Sequence, residues 1–575
     1  MKEPSQMMRT FAFWLILGSL LLVGAPNRSG AVAPPQTVDV VSRRYVIPGY
    51  DEPNTPPNVP VSDALRAALT DPAVMRDGQV NLNQVAYVRF FDRNRARPPE
   101  AVLVLVPGFL SGANAFRFLA TEIVRRSKGA IEVWALDRRA NLLEDLLPLW
   151  RAERIGTVEA AQKALTHLME HPDGRGGYIA NHWEEVGRFM SEWGLDVHVR
   201  DLRAVVEEAR RIQGARIFIG GHSLGAILAQ AFAAYDFEGV PGYSFVHGLI
   251  LLDGTGLPGL APLISDKSYL AGLTALRSPT PGSARPEEAP FVTHPFGPYQ
   301  FQLLQIAALL ALLDPDGPSP LTLYAPELAP LPLTNAAALG LNLDDEFQPQ
   351  PFARFSIGFL RISHDRPLSS LATRSRDPSQ VNPNGLYTPK DLGDDRHRWV
   401  AVTDLRALDP GFVHGPEPSD FSRVAHLWLT GSGRGSSEAS LARELDPEIP
   451  ETNFLEWYFP QRLLLDVLRF SNLDATRLPP PLITALTARG GCIPALTENR
   501  RMNLPVLALH ARQGFFPSSV SSLPFTRYKN STRTSHFTYV LMPNSAHGDL
   551  LTGTDRDAQG RTPAEIILNF VHDIR

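Results

Sequence analysis

A serine between two glycines is the feature of this 575-residue sequence that most clearly suggests chemistry. Ser223 lies in FIGGHSLGAI (Phe218–Ile227), flanked by Gly221 and Gly225, with an apolar run before it and a helix-like run after it. Small flanking residues let the backbone turn sharply between a strand and a helix and expose the hydroxyl as a nucleophile. A neutral hydroxyl is a poor nucleophile, so it also needs a general base within hydrogen-bond reach. A glycine-rich turn without chemistry fits the same short motif, so the rest of the chain must decide.

Strand and helix signals alternate on both sides of this motif. The β-prone run Gln84–Phe91 precedes a series of continuous apolar runs, which are typical of strands buried on both faces of a parallel sheet. These runs are Ala101–Gly108, Ile131–Asp137, Arg216–Gly221, Val246–Asp253, Leu504–His510 and Phe537–Pro543. Helical spacing follows at Ala113–Ser127, Asp201–Ile212 and Thr562–Ile574. The alternation predicts an α/β protein whose mostly parallel sheet is covered by helices on both faces.

Five segments occur in an order that resembles the α/β-hydrolase superfamily, in particular its serine esterase and lipase-like members. They are VPGF (Val106–Phe109), GHSLG (Gly221–Gly225), LILLDG (Leu249–Gly254), PVLALH (Pro505–His510) and NSAHGDLL (Asn544–Leu551). The resemblance covers about residues 100–256 and 500–575 and indicates no specific subfamily. It implies the α/β-hydrolase fold, with Ser223 as the nucleophile.

The same resemblance implies that His547 is the general base. His547 follows the last apolar run and precedes the closing helix, where members of the superfamily carry the catalytic histidine. An imidazole can take the serine proton and return it to the leaving group near neutral pH. His222, next to the serine, is expected to point elsewhere, and His510 is expected only to cap a strand.

Two backbone N–H groups are needed to hold the negative charge that develops on the substrate oxygen. By analogy with the superfamily, one comes from Leu224, the residue after the nucleophile, and the other from Phe109, which follows VPG. Pro107 replaces a histidine that relatives often carry in this loop. This difference leaves open whether Phe109 or Leu110 supplies the second N–H group.

The acid of the predicted triad departs from the common pattern. Relatives usually carry an aspartate or glutamate after the strand that corresponds to PVLALH, but the loop here is ARQGFFPSS (Ala511–Ser519), which has no carboxylate. Some related lipases carry the acid one strand earlier, where this chain has Asp253. We therefore predict Asp253 as the acid that orients His547. Asp549 and an acid from the long insert remain alternatives, and Asp253 could merely stabilise a turn.

Two long stretches interrupt the α/β pattern. We predict an N-terminal segment with the first strands at 34–100 and the first part of the hydrolase core at 101–256, with a helical insert at about 146–199. A lid or cap insertion follows at 257–500, because such a length cannot be a plain loop, and the C-terminal part of the core is predicted at 501–575. In DRRANLLED (Asp137–Asp145), the arginines are expected to pair with Glu144 and Asp145.

The amino terminus has the layout of a secretory signal. Lys2 and Arg9 precede the apolar run Phe11–Gly24, and small residues follow up to Ala33. We expect residues 1–33 to be a signal peptide and the protein to be secreted or periplasmic, with no stable membrane span after signal removal; an uncleaved signal would instead act as an anchor. The single cysteine, Cys492, excludes an intramolecular disulfide.

The composition is that of a globular protein, with 44% hydrophobic residues and a formal net charge of −5. No basic patch stands out, so we expect no nucleic acid partner. We also expect no cofactor and no metal, because no acidic run has an ordered spacing of ligands. The sequence predicts an exported serine hydrolase that cleaves carboxylic esters, with a small-molecule or lipid-like ester as substrate. The alternatives are a catalytically inactive binding or scaffold protein, and a peptidase or acyltransferase of the same fold.

Overall fold

The structure is a computed structural model in which residues 38–574 form one compact unit. It describes this range except for residues 52–54, 57, 70, 77–78, 171–178, 278–287, 294–296, 330–332, 346–347, 349, 358–386, 392–396, 402–417, 431–451, 477, 488–493 and 517–521. The predicted signal peptide, residues 1–33, and Cys492 lie outside the described residues. None of the described helices is long and apolar enough to cross a membrane.

A single eight-stranded sheet organises the described part of the chain. Its strands are β1 (Val40–Pro48), β2 (Gln84–Asp92), β3 (Ala101–Val106), β4 (Ile131–Asp137), β5 (Arg216–His222), β6 (Gly248–Leu252), β7 (Val506–Gln513) and β8 (Phe537–Ala546). They lie in the order β1-β2-β4-β3-β5-β6-β7-β8. Two-stranded ribbons are formed by Met75–Arg76 with Gln79–Val80, Asp236–Phe237 with Val240–Pro241, and Tyr387–Asp391 with His397–Ala401.

The sheet is parallel from β4 to β8, and only β2 runs antiparallel to its neighbours β1 and β4. Every residue of β3 and β6 is buried, as the continuous apolar runs predicted. Parallel strands end at the same edge of a sheet, so the loops after β3, β5, β6 and β7 meet at one carboxyl edge. Such an edge is where open α/β sheets bind their ligands.

Helices cover the sheet and build the two inserts. They are α1 (Asp63–Ala68), α2 (Arg117–Arg126), α3 (Leu147–Ile155), α4 (Val158–Met169), α5 (Trp183–Met190), α6 (Leu195–Arg210), α7 (Leu224–Ala234), α8 (Asp266–Arg277), α9 (Pro298–Leu313), α10 (Pro320–Tyr324), α11 (Asn335–Leu343), α12 (Phe421–Leu427), α13 (Gln461–Phe470), α14 (Pro480–Thr487), α15 (Leu523–Ser531), α16 (Asp549–Thr552) and α17 (Pro563–Asp573). Short 3-10 helices lie at Pro72–Val74, Ala113–Phe116, Arg139–Leu143, Ile179–His182, Gly242–Phe245, Pro351–Ala353 and Asn499–Arg501.

The prediction of a mostly parallel α/β fold is confirmed, with differences at its margins. The proline-rich start of the chain contains β1, a half-buried edge strand that lies within the segment 34–100, for which the sequence predicted first strands but not the bounds of this one. The helix predicted over Ala113–Ser127 begins with a 3-10 turn and becomes α-helical at Arg117. In the long insert, α9 is buried along most of its length, which agrees with its almost uninterrupted apolar sequence.

Candidate active site

Ser223 lies at the sharp turn between β5 and α7. Its backbone angles are φ 57° and ψ −122°, a left-handed conformation that is uncommon and strained for a residue with a side chain. Its side chain is partly exposed, whereas the neighbouring residues His222 and Leu224 are buried. The N–H group of Ser223 donates to the carbonyl of Leu252, which fixes the turn against the end of β6. The strained turn therefore presents the hydroxyl at the carboxyl edge of the sheet.

The glycines around Ser223 are required by close packing. A Cβ atom on Gly225 would collide with the carbonyl of Val106 at the end of β3, and one on Gly254 would collide with the backbone of Ser223 itself. A Cβ atom on Gly108 would lie 3.2 Å from the Cβ atom of Ser223. The loops after β3 and β6 thus approach the turn more closely than any side chain would permit.

The structure brings Asp253 and His547 together. Asp253 directly follows β6, and His547 follows β8, and both side chains are fully buried. His547 Nδ1 lies 2.5 Å from Asp253 Oδ2. A proton on Nδ1 makes this contact a hydrogen bond to the carboxylate and leaves Nε2 as the acceptor. That tautomer is the one in which a histidine can accept a proton from a serine hydroxyl.

Three further groups surround the carboxylate of Asp253. The N–H groups of Ala511 and Phe515 donate to its oxygens at 3.1 and 2.9 Å, and His510 Nδ1 lies 2.9 Å from Oδ1. Burial alone would raise the pKa of Asp253, but the interactions with His510 and His547 outweigh it and hold that pKa below its ordinary value. Asp253 is therefore the ionised partner of His547.

The hydroxyl of Ser223 and His547 are not hydrogen-bonded in this structure. His547 Nε2 is buried and has no hydrogen-bond partner among the described residues. Buried polar atoms are rarely left unpaired, and such exceptions are common at catalytic groups. Catalytic hydrogen bonds are often long in proteins without substrate and become shorter when substrate binds. The free nitrogen is thus the atom that a base would use.

His222 does not point away from the site as expected. Its ring centroid lies 4.3 Å from that of His547, and its Nε2 atom lies 2.9 Å from the backbone carbonyl of His547. Burial, together with the neighbouring His547, lowers the pKa of His222 to about 3. His222 is therefore neutral near neutral pH and packs beneath the ring of His547. The expectation for His510 was also incomplete, because its ring faces Asp253 from within β7.

The two residues expected to hold the oxyanion both adjoin the turn at Ser223. Leu224 is the first residue of α7, so its N–H group lies at the positive end of the helix dipole. Phe109 follows Gly108, the glycine that packs against Ser223. Neither N–H group donates to an acceptor among the described residues. Both groups are therefore available to a ligand.

Asp549, the alternative acid, is engaged elsewhere. Its oxygens accept hydrogen bonds from the N–H groups of Ser356 and Ala546 and from the hydroxyl of Ser419, at 2.6 to 3.1 Å. Burial raises its pKa well above the ordinary value. Asp549 thus connects the loop of His547 to the insert and does not contact the ring of His547.

The arginines after β4 pair with partners other than those expected. Arg138 forms a buried ion pair with Glu456 of the insert, and Arg139 forms one with Asp201 of α6. Glu144 instead accepts hydrogen bonds from Asn453 and from the N–H group of Trp457. The correct partners come from distant segments, so local sequence could not indicate them.

A largely apolar pocket opens at His222 and Gly548, the chain neighbours of Ser223 and His547. His222, Phe109 and Gly548 contribute from the core, and the remaining apolar wall comes mainly from the insert. The insert residues of the wall include Phe301, Leu304, Phe352, Phe355, Trp428 and Phe454. Asn342, Gln348, Ser111 and His222 are the polar members of the lining. An apolar cleft with a few polar groups is typical of a site for a small organic ligand.

No protein-family model and no curated protein matches the sequence. Solved structures do align with the chain. A candidate lipase from Sulfolobus solfataricus is 12% identical, with 93% of this chain and 95% of that chain covered and a TM-score of 0.40. The peroxisomal α/β-hydrolase Lpx1 from Saccharomyces cerevisiae is 10% identical, with 94% and 89% covered and a TM-score of 0.32. An epoxide hydrolase from Vigna radiata is 12% identical, with 85% and 93% covered and a TM-score of 0.31.

The fold follows from the chain's own architecture. The sheet has parallel strands from β4 to β8, a serine lies on a strained turn between β5 and α7, and a histidine follows β8. These features, in this order along the chain, define the fold that the sequence motifs predicted. The chain has the α/β-hydrolase fold.

Proposed function

We propose that this protein is a serine hydrolase that cleaves carboxylic esters through an acyl-enzyme. The observation that carries the proposal is the 2.5 Å contact between His547 Nδ1 and Asp253 Oδ2, which leaves Nε2 free. The strained turn at Ser223 supports the same function, because strain of this kind is maintained only where the surrounding structure enforces it.

In the proposed reaction, the hydroxyl of Ser223 attacks the acyl carbon while His547 Nε2 takes its proton. Asp253 stabilises the imidazolium that forms. The N–H groups of Phe109 and Leu224 hold the negative oxygen of the tetrahedral intermediate. His547 then protonates the departing alcohol, and a water molecule, activated by the same histidine, releases the acid and regenerates Ser223.

The apolar pocket indicates the class of ester. Its aromatic and aliphatic lining favours an apolar or lipid-like group over a small polar one, because burying apolar surface is favourable and burying unpaired polar groups is costly. The insert supplies most of this lining. We therefore propose that the insert acts as a cap that forms part of the substrate site.

The proposed location follows from the sequence alone. Residues 1–33 have the layout of a secretory signal, and the absence of a basic patch argues against nucleic acid as a partner. We propose an exported protein that acts on esters outside the cytoplasm. Detecting the mature amino terminus by mass spectrometry of the exported protein would test this proposal.

A fluorophosphonate probe combined with a series of p-nitrophenyl esters tests the activity. We expect the wild-type protein to be labelled once, at Ser223, and to hydrolyse esters with a preference for longer acyl chains. Ser223→Ala should abolish labelling and turnover while its thermal unfolding stays close to wild type. A folded wild-type protein that neither reacts nor hydrolyses any ester would instead indicate an inactive binding protein of this fold.

A further inference from the structure

One buried guanidinium contacts the loop that carries Phe109 at three points. Arg138 directly follows β4, and its side chain is only 1% exposed. Nη1 donates to the carbonyl of Pro107 at 2.9 Å, and Nη2 donates to the carbonyls of Gly108 and Ser111 at 2.8 and 2.6 Å. Hydrogen bonds from a charged donor are stronger than those between neutral groups. Arg138 therefore holds the loop on both sides of Phe109, at Pro107 and Gly108 before it and at Ser111 after it.

The contact with Gly108 determines where the N–H group of Phe109 points. The carbonyl of Gly108 and the N–H group of Phe109 belong to one peptide unit, which is planar and holds the two groups in opposite directions when it is trans. Since the oxygen is turned toward Arg138, the N–H group is turned away from it. This constraint acts on Phe109 itself, the residue that follows the glycine packed against Ser223.

The insert completes this arrangement. Glu456 is fully buried, and its Oε2 atom accepts from Arg138 Nε at 2.8 Å and from Nη2 at 2.5 Å. Its N–H group donates to the carbonyl of Leu110 at 2.9 Å. The N–H group of Gly112 donates to the carbonyl of Phe454 at 2.7 Å. The segment around Glu456 therefore pairs with the loop through its backbone while its side chain neutralises Arg138.

We propose that Arg138 and Glu456 are positioning residues for the oxyanion hole: together they orient the N–H group of Phe109 toward the substrate oxygen at Ser223. The proposal rests on the proposed ester hydrolysis. It assigns to the insert a part in catalysis, since the carboxylate that holds Arg138 comes from a segment outside the α/β core. The ring of Phe459, also in the insert, packs against Arg138 and Phe109. Its centroid lies 5.1 Å from the guanidinium carbon of Arg138 and 4.9 Å from the ring centroid of Phe109.

Arg138→Lys and Arg139→Lys form a matched pair of variants. Lysine keeps the positive charge beside Glu456, but one ammonium group cannot reproduce the planar fork that contacts three carbonyls. Arg139 is equally buried, pairs with Asp201 and donates to the carbonyl of Tyr50, and none of its hydrogen bonds to the described residues reaches the loop. Any loss of stability that comes simply from replacing a buried arginine next to β4 therefore appears in both variants.

Kinetics with p-nitrophenyl butyrate and binding of a trifluoromethyl ketone provide the readout. The ketone forms an oxyanion on Ser223, so its affinity reports the hole directly. Loss of one oxyanion donor costs about 10²- to 10³-fold in kcat, so we expect Arg138→Lys to lower kcat about 10²-fold with KM within about twofold. Ketone affinity should fall by a similar factor. Arg139→Lys should retain wild-type kcat and ketone affinity.

Amide hydrogen exchange tests the same proposal without relying on activity. Exchange in peptides that span residues 107–112 should accelerate in Arg138→Lys and stay unchanged in Arg139→Lys. Glu456→Gln keeps the backbone bond to Leu110 and should show a smaller effect of the same kind, which serves as the test if Arg138→Lys does not fold. The double variant should be less impaired than the product of the two single effects, because both act through one contact.

The outcomes separate this proposal from the proposed function. If the wild-type protein is active, and Arg138→Lys matches Arg139→Lys in kcat, ketone affinity and loop exchange, the positioning role is wrong. If the wild-type protein is inactive toward both the probe and the esters, the proposed function is wrong, and the positioning role, which depends on it, is overturned with it. In that case faster exchange in Arg138→Lys would still identify a structural clamp on the loop.

Discussion

Two buried aspartates near His547 differ in their surroundings and in their acidity. Asp253 contacts His547 Nδ1 and lies beside His510, and these interactions hold its pKa below the ordinary value. Among the described residues, the carboxyl group of Asp549 accepts hydrogen bonds from N–H groups and a hydroxyl, and burial raises its pKa. Burial is the largest influence on both groups, so the neighbouring imidazoles decide the difference.

The comparison shows that closeness in sequence does not identify the acid partner of a histidine. Asp549 is two residues from His547, but its side chain is turned toward the insert, where it joins Ser356 and Ser419 to the loop of His547. Asp253 is 294 positions away and makes the contact. One carboxylate is paired with the ring of His547, and the other holds two segments of the chain together.

Replacement of Asp253 should give the largest effect. We expect Asp253→Asn to lower kcat about 10⁴-fold with little change in KM, because the neutral amide permits the wrong imidazole tautomer and no longer stabilises the imidazolium. Steady-state kinetics with a p-nitrophenyl ester measure both constants. Asp549→Asn is the control. Equal losses of kcat in the two variants would contradict the assignment of Asp253.

Replacement of His510 tests whether its imidazole helps to keep Asp253 ionised. His510→Phe removes the imidazole beside Asp253 Oδ1, so the ionised form of Asp253 is less stabilised and the pKa of Asp253 should rise toward its ordinary value. We expect kcat to fall about tenfold or less, and the acid limb of the kcat/KM profile to move up by about one pH unit at most.

His510→Asn is the conservative partner of that variant. Its amide nitrogen can occupy the place of Nδ1 and donate to Asp253, so the pH profile should return toward that of the wild type. If His510→Phe and His510→Asn both give the wild-type profile, His510 contributes only packing against Phe525 and Tyr539.

Replacement of Asp549 should affect stability more than catalysis. The Asp549→Asn substitution would present an amide N–H group to donors that now meet a carboxylate oxygen, and one unsatisfied buried polar group costs about 1–3 kcal/mol. We expect this variant to lose about that amount of its free energy of unfolding and less than about tenfold in kcat. Urea denaturation and ester kinetics measure the two effects. A loss of kcat without a loss of stability would assign Asp549 to the chemistry.

The pH dependence of stability should distinguish the two aspartates with opposite signs. The pKa of Asp253 is lowered in the folded state. Its contribution to the free energy of unfolding is therefore present above about pH 4 and is lost as the pH falls through the folded-state pKa. The pKa of Asp549 is raised in the folded state. Its contribution to the free energy of unfolding is therefore complete below about pH 4 and is lost as the pH rises through the folded-state pKa.

Denaturation series from pH 3 to 8 on the wild type and both variants measure this difference. Between pH 5 and 3, Asp253→Asn should lose less stability than the wild type. Between pH 5 and 8, Asp549→Asn should lose less stability than the wild type. If both variants differ from the wild type over the same pH interval, the contrast between the two sites is contradicted.

Much of the sheet could be predicted because continuous apolar runs have few alternatives. The run Ile131–Asp137 is β4 with the same bounds, and Ala101–Gly108 contains β3. First strands were predicted within residues 34–100, but the bounds of β1 were not, because an edge strand buries only part of its surface and its pattern is weak. Ser223, Asp253 and His547 could be proposed because each lies at the end of a strand whose position along the chain is recognisable.

The surroundings of these residues could not be predicted, because they depend on contacts between distant segments. The arginines after β4 were expected to pair with the nearby Glu144 and Asp145, but the partner of Arg138 is Glu456, 318 positions away. No local pattern in the insert distinguishes Glu456 from other acidic residues. The orientations of His222 and His510 depend on side-chain torsions, which sequence spacing does not determine.

The separation of the contacting residues has a consequence during synthesis of the chain. Ser223 is made early, but the carboxylate that holds Arg138 and the base proposed for Ser223 come hundreds of residues later. A growing chain that ends before β8 therefore contains the proposed nucleophile without the proposed base. Contacts between distant residues also form slowly, because each must first close a long loop. The proposed ester cleavage should thus begin only after the last strand has been made and has joined the sheet. We therefore expect incomplete chains to have no hydrolase activity.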